Sequence, residues 1–483
     1  MNRAAVADSG AIDPRIWKVA WVVLLGPLMT SLDSTVVNVS LSRLGRDLRV
    51  PLTRIQWVIS GYLLALALML PLSGWLVDRF GAKRVYLGCF ILFTAASVAC
   101  GLAPNAGALI AGRVLQGVAG GLLAPMAQMM IVRGAGRHVA RVMGIMVMPI
   151  LLGPLAGPVL AGVILQHASW RWIFFINLPI GLLALILAQW ILPADHDQVR
   201  PRPFDLTGFL LLSPGLVLVL HSLESLSGHA RGRGPYGLEL VSGIALLAIF
   251  LAHARRKGPT ALIEIALFRL PPFNAAALTQ FLTNALAYGG QMMVPMYLLV
   301  VLGVSPTRAG LLMLPAGLGM LVAFPLMGAM VERFGSRQVA ASGALLALAG
   351  TVPFAWQGFP AAPFWCLSLA LAARGAGLGA IGIPSIAAAY HGLDKARIPV
   401  ATTTINIVQR LGGPVATTGL VIFLHMVLGG LGLDGSGLGP AQTLARSQAF
   451  ATTFRLLALL HAAAFLAALR LPHRAVADAK AAG

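Results

Sequence analysis

A chain of 483 residues in which 58% are hydrophobic and only 10% are Asp, Glu, Lys or Arg has too little charge to cover a water-facing surface. Ordinary soluble domains carry about 25% charged residues, so the composition excludes a string of soluble domains and calls for lipid as a solvent. The formal charge of +20 does not imply a nucleic-acid partner, because the basic residues stand singly in short loops and form no continuous face. Cys89, Cys100 and Cys366 lie inside apolar runs and indicate neither a disulfide framework nor a metal site.

A membrane-spanning helix needs about 20 mostly apolar residues. The stretch Met1 to Lys18 is too polar, and the run after it too long, for a cleaved signal peptide. In chain order the predicted spans are Lys18–Leu41, Ile55–Val77, Val85–Leu102, Ala108–Val132, Val139–Leu165, Trp172–Leu192, Phe204–Leu223, Gly237–Ala254, Phe273–Leu302, Ala309–Val331, Val339–Trp356, Phe364–Tyr390, Val400–Leu428 and Phe450–Leu471, fourteen in all. An even number places both termini on one side. With the N-terminus inside, the cytoplasmic segments hold more than twice as many Lys and Arg as the opposite loops, which predicts cytoplasmic termini. Arg43, Arg46, Arg49 and Arg54 in the first outer loop depart from that rule.

Three patterns occur twice in the same order, about 255 to 260 residues apart, the mark of an internal duplication. Gly74-Trp-Leu-Val-Asp78-Arg79-Phe-Gly81-Ala-Lys83-Arg84 returns as Gly328-Ala-Met-Val-Glu332-Arg333-Phe-Gly335-Ser-Arg337. Arg113 before a glycine-rich apolar helix returns as Arg374, and Gly153-Pro154 returns as Gly413-Pro414. A six-span unit plus a two-span insert accounts for the separation, and an insert that crosses twice leaves both copies in the same orientation, a parallel repeat. The predicted fold is therefore an all-α integral membrane protein with 14 transmembrane helices. Its parts are an N-terminal six-helix bundle over 1–192, a two-helix insert over 193–258 and a C-terminal six-helix bundle over 259–483 with a short cytoplasmic tail.

Of fifteen acidic residues, Asp33 alone lies well inside a predicted span. An Asp at the centre of a membrane helix costs about 2.5–3.5 kcal/mol on insertion scales, so it is expected to face a cavity and to serve a function. Burial there disfavours the carboxylate, which suits loading and release of a proton. The alternative is a carboxylate held by hydrogen bonds with Thr35 or Asn38. Arg113 is the basic residue deep in the first half and needs an acceptor, with Gln116 one turn on along the same face. In the ninth span Gln280, Asn284, Tyr288 and Gln291 recur at helical spacing beside Met292, Met293 and Met296. That stripe reads either as the wall of an adaptable pocket for amphipathic molecules or as helix packing.

Other signals carry little. Gly377-Leu-Gly379-Ala-Ile-Gly382 spells a dinucleotide fingerprint but has no strand before it, no Walker A string is present, and the ten histidines lack metal-ligand spacing. Asn38-Val-Ser40 spells a glycosylation site inside a span, where it means nothing.

Together, Leu32-Asp33-Ser-Thr35-Val-Val-Asn38-Val, the Gly74 to Arg84 loop, Arg113-Val-Leu-Gln116-Gly117, Gly153-Pro154-Leu-Ala-Gly157-Pro158 and Trp170-Arg171-Trp172-Ile-Phe-Phe-Ile-Asn177-Leu-Pro179 resemble the major facilitator superfamily, and within it the fourteen-span drug:proton antiporters. The resemblance runs from about Trp17 to Leu471. It implies proton-coupled export of hydrophobic or cationic drugs, with Asp33 and Arg113 handling the proton and a gating loop made of Gly74, Asp78, Arg79, Gly81, Lys83 and Arg84. Gly153, Pro154, Gly157 and Pro158 would be the antiporter motif, although Pro149 stands where the fuller pattern has glycine. Substrate-cavity candidates are Asn38, Gln116, Gln280, Asn284, Tyr288 and Gln291.

The implied partners are a small-molecule substrate, protons and the lipid bilayer of a bacterial inner membrane, with room for a periplasmic adaptor of an efflux assembly. No nucleic acid and no metal or other cofactor is expected, the proton gradient being the energy source. Export of an endogenous metabolite or lipid on the same scaffold is the alternative, followed by a non-transporting membrane receptor. No cluster of catalytic residues points to an enzyme.

Overall fold

The computed structural model describes residues 12–195, 203–228, 236–356, 363–430 and 440–473. The expected tail beyond His473 lies outside the described residues. All regular structure among them is helical. The helices of eight residues or more are α1 (Pro14–Asp47), α2 (Trp57–Met69), α3 (Ser73–Phe80), α4 (Ala82–Gly101), α5 (Ala106–Ala135), α6 (Val139–His167), α7 (Asn177–Ile191), α8 (Leu206–Gly228), α9 (Tyr236–Lys257), α10 (Pro271–Val300), α11 (Pro306–Thr351), α12 (Phe364–Ala389), α13 (Ile398–Gly430) and α14 (Pro440–Ala468).

Local chemistry explains where several of them start. Asp13 Oδ1 accepts from Arg15 N at 2.8 Å ahead of α1, and Asn105 Oδ1 accepts from Ala108 N at 2.9 Å ahead of α5. Each satisfies a donor that the first helical turn leaves open, and each opens a helix at a polar residue before an apolar run.

Among the described residues, twelve helical segments are long and apolar enough to cross a membrane. The difference from the fourteen expected spans has two physical sources. The predicted pair Ala309–Val331 and Val339–Trp356 forms one stretch, Thr307–Ala355, bent at Gly335. The 30-residue α10 is not among the twelve, because Thr279, Gln280, Thr283, Asn284 and Gln291 dilute its hydropathy. Two of the candidate spans are Leu206–Leu226 and Tyr236–Thr260.

By internal contacts the chain divides into two compact units. One holds Met1–Val217, Ile249–Glu264 and Leu393–Thr404; the other holds Leu218–Ala248, Ile265–Gly392 and Ile405–Gly483.

Inside the first unit, Gly117 and Gly121 of α5 lie against the carbonyl oxygens of Tyr62 and Leu66, where an added Cβ would collide. Inside the second, Gly375 and Gly379 of α12 lie against those of Ala316 and Met320. Close helix approach over small residues is the usual packing device in lipid, where no hydrophobic force drives helices together. Both units thus pack helices over small residues, but in a shifted register: Gly117 and Gly121 follow Arg113 by four and eight residues, Gly375 and Gly379 follow Arg374 by one and five. The duplication read in the sequence recurs in the backbone: Gly81 has φ 89 and ψ 153, and Gly335 has φ 83 and ψ 160.

Asp205 anchors the start of α8. It is 1% exposed, and it accepts from Lys257 Nζ at 2.7 Å, His253 Nε2 at 2.9 Å, Gly208 N at 3.0 Å and Leu262 N at 3.0 Å. Burial by itself raises its pKa, but the hydrogen bonds from Lys257, His253, Gly208 and Leu262 outweigh it and hold the carboxyl down at about 2. A carboxyl depressed on folding adds stability above its unfolded pKa, and that stability is lost as pH falls through the folded one. The thermal midpoint of the purified protein should therefore drop between about pH 4 and pH 2, and Asp205→Asn should flatten that drop; an identical pH profile in the variant would disprove the assignment.

Candidate functional site

The first unit buries a polar cluster where α1, α2, α4, α5 and α7 meet. Arg113 Nη1 donates to Asp33 Oδ2 at 2.5 Å, the two side chains being 1% and 0% exposed. Arg113 Nη1 also reaches Gln116 Oε1 at 2.9 Å, and its Nε donates to Val58 O at 3.0 Å. The guanidinium carbon stands 4.1 Å from the centroid of the Tyr62 ring, adding a cation–π contact. Asn177 Nδ2 donates to Asp33 Oδ1 at 2.8 Å, and Gln116 Nε2 donates to Ser97 Oγ at 2.6 Å. Cys100 Sγ donates weakly to Gln116 Oε1 at 3.4 Å.

This arrangement corrects one expectation. Asp33 does not line an open cavity; it is fully enclosed, and its partners are Arg113, Asn177 and, at 3.5 Å, Gln116 Nε2 rather than Thr35 or Asn38. Thr35 Oγ1 instead donates to Ser31 O one turn back at 2.8 Å, and Asn38 is exposed. A charge placed in a low-dielectric interior is tolerated only when paired and hydrogen-bonded, which is the condition that Arg113 and Asn177 supply. Sequence reasoning missed Ser97 as a partner and assigned no role to Asn177, although Asn177 stands in the Trp170 to Pro179 motif as a lone amide in an apolar run.

Arg374 occupies the position in the second unit that Arg113 holds in the first, but its chemistry differs. It is 5% exposed and donates Nη2 to Leu286 O at 2.6 Å, while its Nε has no hydrogen-bond partner. Nearby His461 Nε2 lies 3.0 Å from Thr351 Oγ1. The duplication therefore kept the arginine without the carboxylate: the residue pairing of α1 with α5 has no acidic equivalent in α10.

The expected gating loop is a helix-to-helix junction. The α3 helix ends at Gly81, whose positive φ only glycine adopts readily. Asp195, from the segment after α7, then accepts from Lys83 N at Oδ1 and from Arg84 N at Oδ2, both at 3.0 Å, and so caps α4. Lys83 returns the favour to the other helix, donating Nζ to Gln189 O at 2.6 Å and to Leu192 O at 3.0 Å at the α7 C-terminus. A carboxylate at an N-terminus and an ammonium at a C-terminus complement both helix dipoles. Asp78 is buried and Arg79 and Arg84 are exposed. Gly74 N donates to Thr403 Oγ1 at 3.0 Å, and Ser73 Oγ lies 2.8 Å from the same hydroxyl, so the first turn of α13 seats on α3. Asp195 had no place in the sequence reading.

Gly153 and Gly157 of α6 are buried against Ser31 and Thr35 of α1, and Pro158 is exposed; the side chain of Pro154 lies outside those described. The small-residue face thus brings α6 onto the helix that carries Asp33. Of the α10 stripe, Gln280 is buried and donates to Gly382 O at 2.6 Å and Ser385 Oγ at 2.7 Å on α12. Asn284 donates back to Gln280 O at 3.1 Å, while Tyr288 and Gln291 are exposed. The stripe is therefore split, its first member serving helix packing and its last two left accessible.

Comparison with known proteins accords with this geometry. The profile described as Major Facilitator Superfamily matches residues 23–417. The "Multidrug resistance protein B homolog" of Mycobacterium tuberculosis (strain ATCC 25618 / H37Rv) is 35% identical over 416 residues, covering 86% of this chain and 77% of that protein. Among solved structures, the human organic anion transporter MFSD10 (TETRAN) superposes with a TM-score of 0.59 at 16% identity, over 93% of this chain and 100% of the other. The proton:xylose symporter XylE bound to 6-bromo-6-deoxy-D-glucose gives 0.59 at 16% identity, over 92% and 95%. At that identity the two structures share the fold alone.

Proposed function

The chain belongs to the Major Facilitator Superfamily and is a multi-pass membrane transporter of small molecules rather than an enzyme, and from that premise we propose that it exports hydrophobic or cationic drugs in exchange for protons. The observation that carries the proposal is the enclosed Asp33–Arg113 pair, 2.5 Å apart. Protonation of Asp33 removes the counter-charge of a buried guanidinium and converts two acceptor oxygens into a donor and an acceptor. The network of Gln116, Asn177 and Ser97 then has to rearrange, and α1, α5 and α7 carry that change along their lengths. Proton binding is thereby coupled to helix position, which is what an exchanger needs. No cofactor enters this scheme; the proton gradient supplies the energy.

The same reading takes the chain as fourteen spans. Thr307–Ala355 counts twice across its bend, and α10 counts as a span whose polar residues serve transport and packing. The even number and the Lys/Arg bias support both termini in the cytoplasm of a bacterial inner membrane, with bundles over 1–192 and 259–483 and an insert over 193–258.

Everted vesicles from a pump-deficient bacterial strain expressing the protein, whose cytoplasmic face points outward, should take a lipophilic cationic dye into their lumen when energised, and a protonophore should stop that uptake. Export that persists under the protonophore would overturn proton coupling. No movement of any dye, in vesicles with confirmed expression, would move the substrate to a specific endogenous metabolite.

A further inference from the structure

A cavity of about 550 Å³ lies within the first unit, at the ends of α1, α4, α5 and α7. Three separate helices contribute four cationic side chains to it: Arg15 and Lys18 from α1, Lys83 from α4 and Arg133 from α5. Between them stand apolar side chains, among them Val19, Ile131 and Ile191. Trp190 forms part of the wall and is 84% exposed, as suits an indole at the boundary of hydrocarbon and water.

The acids nearby are already engaged. Asp195 also lines the cavity, but both its oxygens accept backbone N–H groups of Lys83 and Arg84. Asp13, adjacent in sequence, caps Arg15 N. Lys83 Nζ spends two of its three N–H donors on Gln189 O and Leu192 O, which fixes the ammonium at the cavity wall with one donor left over. The cavity is thus cationic in one part and apolar in another, at the ends of apolar helices.

We propose that this cavity binds an anionic phospholipid, its phosphate held by Arg15, Lys18 and the fixed Lys83 ammonium and its upper acyl chain laid along Val19, Ile191 and Trp190. Basic pockets between membrane helices select anionic headgroups by this combination of charge and apolar surface. A general enrichment of Lys and Arg in loops places charges singly around the rim of the protein. Here three helices bring four cations to one cavity instead. The site touches the gating junction through Lys83, so an occupied site braces α4 against α7.

The test is native mass spectrometry of the full-length protein titrated with phosphatidylglycerol, with phosphatidylcholine of the same acyl chains, and with glycerol 3-phosphate. Phosphatidylglycerol should bind in preference to phosphatidylcholine, and R15Q/K18Q should weaken it by about thirtyfold, each cation near the surface contributing about one factor of five. R15K/K18R, which keeps both charges, should retain the preference, and R255Q/R256Q, which removes a cationic pair not lining the cavity, should leave it unchanged. If R15Q/K18Q is poorly folded, the single variant Lys18→Gln should still show a partial loss of phosphatidylglycerol at unaltered phosphatidylcholine binding. Equal affinity for the two lipids, or phosphatidylglycerol binding that survives R15Q/K18Q, would overturn the proposal. Displacement of the lipid by millimolar glycerol 3-phosphate would overturn the lipid and assign the site to a free phosphate ester.

Discussion

Asp33→Asn is expected to abolish proton-driven export while dye still binds. The amide keeps the size of the carboxyl group but carries no titratable proton, so the step that links the gradient to helix movement is removed. The substitution also leaves Arg113 charged, 1% exposed and without its anion. Removing one partner of a buried pair costs about 3–5 kcal/mol, so a loss of fold and a loss of coupling must be told apart. The double variant Asp33→Asn/Arg113→Gln does this. It removes both charges together, so its thermal midpoint should recover toward wild type, while proton-driven transport in proteoliposomes stays absent. Wild-type, protonophore-sensitive transport by Asp33→Asn would eliminate Asp33 as the coupling group. A stable single variant with wild-type melting would show that the pair contributes nothing to the fold.

Gly81→Val is the second large effect. At φ 89 and ψ 153 the position lies where a side chain is strained, and a β-branched one more than most. An added Cβ would also land on the carboxylate of Asp195. The variant must therefore strain its backbone, at about 1–3 kcal/mol, and displace a cap contributing about 0.5–2 kcal/mol. Asp195→Ala removes the cap alone and leaves Gly81 at ease, so it should be the milder of the two. Thermal melting of both proteins, followed by size-exclusion fluorescence, gives the order directly. Equal midpoints would mean that the backbone at Gly81 relaxes freely and that the junction is held by Asp195 only. In transport, both variants should slow export, since each loosens the α3–α4 turn at one end of α3, the helix whose other end seats on Thr403.

Most helices were readable in the amino-acid order, because a run of about 20 apolar residues between charged loops has one physical outcome in lipid. The duplication was readable for the same reason, since Gly81 and Gly335 punctuate equivalent turns. Asp33 and Arg113 could also be picked out singly, as charged residues where charge is costly. Their partnership was less accessible. Arg113 meets Asp33 from 80 positions away and Asn177 meets it from 144. Hydropathy says that a polar residue in an apolar run needs a partner, but it carries no information on which helix will bring one.

The places where reading and structure part share that cause. Gln280 and Gln291 follow one periodicity on α10, yet α12 covers the first and leaves the second open. Asp195 and Asp205 look like ordinary loop acids, and each proves to be the capping centre of a junction. Arg374 matches Arg113 by position, yet among the described residues it donates to the carbonyl of Leu286 rather than to a carboxylate, since α10 has no acid to bring. The sequence by itself determined which segments enter the membrane and which residues are costly there, both being sums over near neighbours. The tertiary structure alone decided how each cost is met, because a buried charge or a helix end is satisfied by whatever group the packing of another segment brings within about 3 Å.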